Sequence, residues 1–491
     1  MSDEREARIE KLAELREAGI EPYPTISQRD HTAAEALAHF DELQGQTITL
    51  AGRLMALREM GKAAFAHIED GSGRIQIYLK RDDVGDEAFR HIRLLDLGDF
   101  VEAAGTLFTT RTGEKTLHVT SYRLLAKALR PLPAKGAGGE LKLFEPETRY
   151  RKRYLDLLAN RETVVPVFVA RAKVLAAMRE FLNARDFIEV ETPILQPIYG
   201  GATARPFITH HNTLDRDLYL RIAPELYLKR LIAGGLERVY EIGPIFRNEG
   251  IDREHNPEFT MMEFYQAYAD YQEVMRVVEE MHAHIARVVL GSTQLTYLGV
   301  PLDLAPPWQR MTLREAILEH TGIDYEQYPE RDQLAAVMRE QGYEVDPRLG
   351  RGKLIDELKD SIIRGPEARI KGPIFLYDYP REISPLAKAR PGEPGTVERF
   401  QAFAGGLELG NAFTELNDPL DQRARFEEQA RLRARGDDEA QVLDEDYIEA
   451  LEMGMPPTGG WGGGIDRLTM LLTDQSTIRE TILFPTMREV K

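Results

Sequence analysis

Residues 238–271 read RVYEIGPIFRNEGIDREHNPEFTMMEFYQAYADY. The two outer parts have strand character and the middle is a polar loop. Arg247 ends the first strand. In the second, Phe259, Met261, Glu263 and Tyr265 share one face by the two-residue repeat of a strand. That face offers an aromatic plane, a carboxylate and a phenol in a row. A guanidinium beside it suits a phosphate, because it is always charged and donates in a fork. For Glu249 and His255, in the loop, the plain alternative is a hydrated turn.

Two further segments flank this one. Upstream, residues 164–195 read VVPVFVARAKVLAAMREFLNARDFIEVETPIL. Val174, Met178, Phe181 and Leu182 form a helical stripe, FIEVET alternates as a strand, and Pro193 stops it. Downstream, residues 455–485 read MPPTGGWGGGIDRLTMLLTDQSTIRETILFP. A glycine-dense strand lets backbone and ligand approach closely. Asp466 can cap the helix that follows. The N-terminus of that helix favours phosphate, and Arg467 in its first turn adds a cation.

The three segments resemble motifs 1, 2 and 3 of the class II aminoacyl-tRNA synthetases, in class order over residues 166–491. The resemblance implies an α+β chain whose large domain is an antiparallel sheet flanked by helices, not a Rossmann domain. It implies that motif 1 builds a homodimer. It also implies an ATP site in which Arg247 grips the α-phosphate and Arg467 the γ-phosphate, both serving catalysis. Glu249 would accept from the adenine amino group, His255 would lie near the distal phosphates, and Phe259 would stack on adenine. Glu408 and residue 401 stand where the family binds magnesium, with two or three Mg2+ ions expected. The family has glutamate in a stretch like RFExF, but here it is RFQAF, so Gln401 departs from the pattern. Motif 3 reads GGWGGGIDR rather than GGLGIGIDR, and Trp461 and Gly463 are expected to change the floor of the ATP site.

The choice of amino acid follows from charge. A buried ammonium needs carboxylate partners. Glu225 in RIAPELYLK, Glu263, and Glu415 in GNAFTELND match the pattern of lysyl-type enzymes. By that resemblance Glu225 holds the α-amino group, while Glu415 with Tyr265 holds the ε-ammonium. Gly201, Asn411 and Phe413 complete the pocket. The implied reaction is activation of L-lysine with ATP and its transfer to lysine tRNA. A paralogue that aminoacylates a protein or small molecule is one alternative. A non-catalytic tRNA-binding regulator is another.

The N-terminal region has different patterning. Ser2 can cap a helix carrying Ile9, Leu12 and Leu15, ended by Gly19, and Thr32 with Glu35 has capping-box spacing. TITLAGRLM, AFAHIEDG and RIQIYLK are three strands. A helix-like stretch, 82–95, follows, then DFVEAAGTLF and LHVTSYRLLAK. That is the element order of an OB-fold, a small barrel that binds oligonucleotides. The family resemblance places anticodon contacts at Arg58, Phe65 and Gln76. An aromatic can stack an unstacked base while the other two bond its edge. Seen alone, Phe65 is more often a core residue.

The expected domains are 1–130, a linker over 131–165, and 166–491 with a helix-rich insertion at about 300–385 carrying few site-like residues. Residues 130–153 carry seven Lys and Arg against three Glu, and read equally as a track for tRNA or as a solvated hinge. A length of 491 residues calls for two or three domains. A net charge of −18 excludes a protein that coats nucleic acid by bulk charge. The chain has no cysteine, so no disulfide or Cys-based zinc site is expected. The start, MSDEREARIEKL, lacks the apolar core of a secretory signal, and no apolar run is long enough to span a membrane. The cytoplasm is the expected compartment.

Overall fold

The computed structural model describes residues 2–133, 142–364, 368–434 and 441–489, and the chain divides into two compact units, Met1–Leu143 and Phe144–Lys491. The first opens with the helix Ser2–Glu17. Leu12 and Leu15 are buried, but Ile9 is exposed. The third inward position is Arg8, whose guanidinium donates to the carbonyls of Leu97, Ala128 and Arg130. Ser2 lies within the helix rather than at its cap. Gly19, at φ +75°, follows the helix end. Thr32 and Glu35 form the reciprocal capping box.

Five strands, Thr47–Met60, Ala63–Glu69, Arg74–Lys80, Phe100–Thr109 and Lys115–Ala126, close into a barrel in the order first, second, third, fifth, fourth. Neighbours are antiparallel except the third and fifth. Alternate residues point inward, among them Ile48, Leu50, Leu54, Ala64, Ala66, Ile68, Ile75, Ile77 and Leu79. This is the expected OB-fold. The helix-like stretch is split in two at Gly85, which has φ +91°.

In the second unit, a sheet runs in the order Gln309–Thr312, Ile374–Pro380, Glu393–Ala404, Leu407–Thr414, Thr458–Gly464, Glu258–Ala267, Arg238–Phe246, Ile188–Glu189, with Ala389–Arg390 paired to Glu393–Ala404. The central pairings are antiparallel, as expected, but both outermost pairings are parallel. Of FIEVET, only Ile188–Glu189 pairs. Helices Arg161–Asn183 and Tyr271–Leu290 contribute Val174, Met178, Phe181, Val274 and Met281 to a core shared with Met262, Phe264, Phe400 and Trp461 of the sheet. The opposite face of the central strands is left for the site.

Two expected boundaries differ. The linker ends near residue 143, because Pro146–Arg151 and Arg153–Ala159 are helices of the second unit. Residues 134–141, including Lys135 and much of the unusual KGAGGELKLF insert, lie outside the described residues. The insertion is helical only over 313–363, and the strands on either side of it belong to the main sheet.

Helix Arg153–Ala159 also removes cations from the proposed tRNA track. Arg153 is fully buried and binds Asp156 at 2.6 Å and the carbonyls of Arg479, Ile482 and Leu483. Arg149 pairs with Asp156 and Glu480. These bonds anchor the C-terminal part of the 455–485 segment, in which Ile478 lines the site. Arg153→Met should lower the unfolding free energy of this unit by about 3–5 kcal/mol, the usual cost of breaking a buried ion pair. Both tryptophans, Trp308 and Trp461, lie in this unit, so denaturant titration followed by tryptophan fluorescence reads it alone. An unchanged midpoint would refute the anchoring role.

Candidate active site

A cavity of about 360 Å³ opens on the free face of the sheet. Its wall includes every residue singled out from sequence for ATP, the amino acid or metal: Gly201, Glu225, Arg247, Glu249, His255, Phe259, Glu263, Tyr265, Gln401, Glu408, Asn411, Phe413, Glu415 and Arg467. The alternation read from 258–267 holds: Phe259, Met261, Glu263 and Tyr265 line the cavity while Met262 and Phe264 enter the core. Glu408 and Asn411 are three apart, so strict alternation would place them on opposite faces. A register shift opposite Ala402 and Phe403 makes Leu409 an extra residue, and this bulge brings both to the cavity.

The glycines of Thr458–Gly464 make room for this wall. A Cβ on Gly460 would strike both Glu415 and Tyr265, and one on Gly462 would press on Glu263. Trp461 points the other way, where it is buried and stacks on Phe400 with ring centroids 5.8 Å apart. Gly410 and Gly463 lack the Cβ atoms that would collide with its indole. The Trp461 indole thus fills the core behind the sheet beside Gly463, while Trp461 also lines the cavity. Asp466 caps no helix. Its carboxylate accepts from the backbone N–H of Thr260 at 2.7 Å and from Arg171 at 2.8 Å.

One end of the cavity is acidic. Glu225, Glu263 and Glu415 are all buried. Tyr265 donates to Glu263 at 3.0 Å. The cation at Glu415 is Lys229, fully buried, with Nζ 2.5 Å from Glu415 Oε2 and 2.5 Å from Glu225 Oε1. Neither oxygen of Glu415 accepts a well-directed hydrogen bond. Burial pushes the Glu415 carboxyl up to about 8, against the pull of Lys229 and with the push of Glu225. Burial and Glu225 drive Glu263 well above the usual carboxylate range. Burial presses the Lys229 ammonium down, but the two glutamates more than reverse it. Gly201, at φ +84°, packs against the Cβ of Glu225.

The other end is basic. Arg247 lies over the Phe259 ring, 5.3 Å from its centroid, and desolvation lowers its pKa. Arg467 Nη2 lies 3.0 Å from His255 Nε2 and its Nη1 3.8 Å from Glu408 Oε2. Arg364 stands 4.0 Å from Glu408. Burial raises the Glu408 carboxyl, but Arg467, Lys359, Arg364 and Arg399 together hold it below its ordinary value. Glu249 is half-buried at the rim. Asn411 accepts from Arg399 at 2.9 Å, so its oxygen is already engaged.

Residue 401 does not fit the expected metal role. Lys359 can only donate, and it approaches Gln401 Oε1 at 3.3 Å; Tyr379 donates to the same oxygen at 2.8 Å. The amide therefore turns its NH2 to Glu408 Oε1, at 2.8 Å. Its only acceptor oxygen is occupied. Glu408 keeps a carboxylate oxygen facing the basic groups and fits one hard cation shared with phosphate. No group of three or more His, Cys, Asp or Glu suited to a metal occurs among the described residues. Lys229, Lys359, Arg364 and Arg399 were missed from sequence. Lys229 follows Glu225 by four residues, a spacing that ordinarily marks a surface pair. Lys359 and Arg364 come from the insertion read as poor in site residues.

On the barrel, Arg58, Phe65 and Tyr78 lie opposite one another on adjacent strands, and Phe65 faces outward, half-buried, 4.8 Å from Tyr78 between centroids. Phe65 is not part of the barrel core. Gln76 is buried, donates to Glu114 at 2.7 Å and accepts from Thr116 at 2.8 Å.

Residues 145–488 match the family described as tRNA synthetases class II (D, K and N), and residues 48–125 match the OB-fold nucleic acid binding domain. The chain is 55% identical to the lysine–tRNA ligase of Chloroflexus aurantiacus, covering 100% of this chain and 99% of that protein. It is 53% identical to the lysine–tRNA ligase of Moorella thermoacetica, covering 98% and 97%, and 54% to that of Roseiflexus castenholzii, covering 99% of each. The chain belongs to the class II tRNA synthetases and, among them, to the lysine–tRNA ligases.

Proposed function

We propose that ATP lies along the basic end of the cavity and L-lysine at the acidic end, and that the two are joined there as lysyl-adenylate. The observation that carries this reading is one cavity with three buried carboxylates at one end and Arg247, Arg364 and Arg467 toward the other. Lysine brings two ammonium groups to the acids and a carboxylate toward Arg247. A carboxylate oxygen of lysine attacks the α-phosphorus, the bond to the bridging β-phosphate oxygen breaks, and pyrophosphate leaves. Arg247 offsets charge at the α-phosphate as it builds. Arg467 holds the γ-phosphate, with His255 beside it. Phe259 stacks on adenine and Glu249 accepts from its amino group. A hydroxyl at the 3′ end of lysine tRNA then attacks the activated carbonyl and AMP leaves. Magnesium, when bound with ATP, neutralises phosphate charge, and Glu408 is the residue that would hold it.

Glu225 receives the α-ammonium. Glu415 receives the ε-ammonium, its under-bonded oxygens being the support for that role. Gly201, Asn411 and Phe413 shape the wall between. Arg58, Phe65 and Gln76 read the anticodon from the outer face of the barrel. A second copy of the chain docks along motif 1, where Ile188, Ile194 and Leu195 are exposed. No helix among the described residues is long and apolar enough to cross a membrane, and the cytoplasm, where tRNA is charged, is the proposed compartment.

Lysine-dependent exchange of pyrophosphate into ATP, measured beside charging of lysine tRNA, tests the whole reading. Exchange without charging would point to a paralogue with another acceptor, and neither activity to a non-catalytic protein. Glu415→Gln should reduce kcat/KM for lysine by about 3–5 kcal/mol, with the KM for ATP little changed; unchanged lysine dependence would remove Glu415 from the pocket. Phe65→Ala should weaken tRNA charging by about 1–3 kcal/mol and leave exchange intact. A barrel that unfolds in this variant would make Phe65 a structural residue. Gln401→Glu should replace a hydrogen bond to Glu408 by repulsion that a cation relieves. Metal-free ATP binding should weaken about tenfold, from loss of a charged hydrogen bond, while half-saturation by free magnesium falls. Superimposable magnesium curves would place residue 401 away from the metal.

A further inference from the structure

Lys229 has no part in the reaction described above, yet it is the most enclosed charge in the site. It rises from the helix Glu225–Ala233, one turn after Glu225, and approaches the acidic end from behind the cavity wall. Its ammonium makes two short contacts, to Glu225 and Glu415, and its side chain is 0% exposed. We infer that Lys229 sets the charge of the amino-acid pocket, and so its preference for a diamino acid, by pairing with Glu225 and Glu415 at once. The inference rests on the lysine assignment above.

The argument is a charge count. With lysine bound, Glu225, Glu263 and Glu415 in their ionised forms carry three negative charges toward the cavity, and Lys229 supplies one positive charge from behind. The sum of −2 matches the two ammonium groups of lysine, whose carboxylate faces Arg247. An amino acid with the same number of carbons and no side-chain charge, such as norleucine, brings only one ammonium and leaves a buried carboxylate unbalanced, which is costly. Without Lys229 the three acids would face one another with no cation inside the group. Buried like charges relieve this by binding a proton. A protonated glutamic acid is a neutral donor that no longer requires an ammonium opposite it. The preference for lysine would therefore fade along with the affinity.

The groups facing Glu415 and Lys229 are known from every packed element. They are Glu225 on the same helix as Lys229, Glu263 and Tyr265 on the strand Glu258–Ala267, Arg399 on the strand Glu393–Ala404, and Tyr447 on helix Glu445–Glu452. The Tyr447 hydroxyl is buried without a hydrogen-bond partner, so it is free to donate to a rearranged carboxylate. Burial holds the Glu415 carboxyl up near 8 while Lys229 pulls it down. Lysine binds the ionised form, so its affinity rises with pH through that region until the α-ammonium of lysine itself loses its proton. Removing Lys229 displaces the rise to higher pH.

The test uses the full-length protein with Lys229→Met. The KM for lysine in pyrophosphate exchange should rise about a hundredfold, as for loss of one partner of a buried ion pair, while the KM for ATP stays within about twofold. The preference for lysine over norleucine should shrink. Lysine binding at pH 7, measured by calorimetry in two buffers of different ionisation enthalpy, should release more protons than in the parent. Lys229→Arg keeps the cation and should keep most of the preference. If Lys229→Met fails to fold, Glu225→Gln with Lys229→Met restores the charge sum, and its preference for lysine over norleucine should then approach that of the parent. A folded Lys229→Met protein with unchanged preference and proton release would overturn the inference and make Lys229 a structural anchor. If Glu415→Gln also leaves lysine binding untouched, the pocket assignment itself fails.

Discussion

A strand almost without side chains stands at the centre of the catalytic sheet, and the site depends on it. Thr458–Gly464 has glycine at five of its seven positions. Glycine inside a strand is a poor choice for backbone entropy and packing. Here the alternative is worse, since a Cβ at Gly460 would occupy the space of Glu415 and Tyr265. The strand recovers its anchorage through Trp461, which fills the opposite face and stacks in the core between sheet and helices. Gly410 and Gly463 accommodate that indole. One face of the strand is emptied for ligands and the other is filled by the largest side chain available. Antiparallel pairing with both neighbouring strands holds it in register.

What could be read in the sequence is what obeys a short period. The row Phe259, Met261, Glu263, Tyr265 needs only alternation, and the barrel needs only the order and spacing of its strands. Helix Arg161–Asn183 buries its expected stripe for the same reason. The failures share a physical cause too. The bulge at Leu409 breaks alternation without leaving a mark in residue type. Asp466 sits where a cap would sit, yet bonds to Thr260 and Arg171, more than two hundred residues away in sequence. Lys229 looks like half of an exposed helical pair, because spacing of four says nothing about burial. Arg364 and Lys359 come from a segment whose amphipathic pattern described its own packing and not the reach of its last turns.

Gln401 shows how one substitution changes the meaning of its neighbours. A carboxylate at this position would compete with Glu408 for cations. An amide instead has a donor for Glu408 and an acceptor for Lys359 and Tyr379, so a single side chain satisfies groups of both signs. Its orientation is fixed by its partners, since an ammonium cannot accept and a carboxylate cannot donate. Glu408 is thereby held in place by protein groups. The positive surroundings of Glu408 come from four side chains on three different elements, which makes the charge of this region a property of the folded unit rather than of any motif.

The two ends of the cavity solve opposite versions of one problem. Buried charge of either sign is expensive, and each end reduces the expense with a group of the other sign that the ligand does not touch first. At the basic end, Glu408 and Glu254 sit among Arg364 and Arg467. At the acidic end, Lys229 sits behind Glu225 and Glu415. Each cluster is left with a deficit that a ligand can fill: positive toward triphosphate, negative toward a diamino acid. A site charged to the full amount would be too costly to fold, and one neutralised within itself would have no claim on its ligand. On the proposed placement of the ligands, the residual charge at each end carries the specificity, and Lys229 sets it at one end as much as the carboxylates that would meet the substrate.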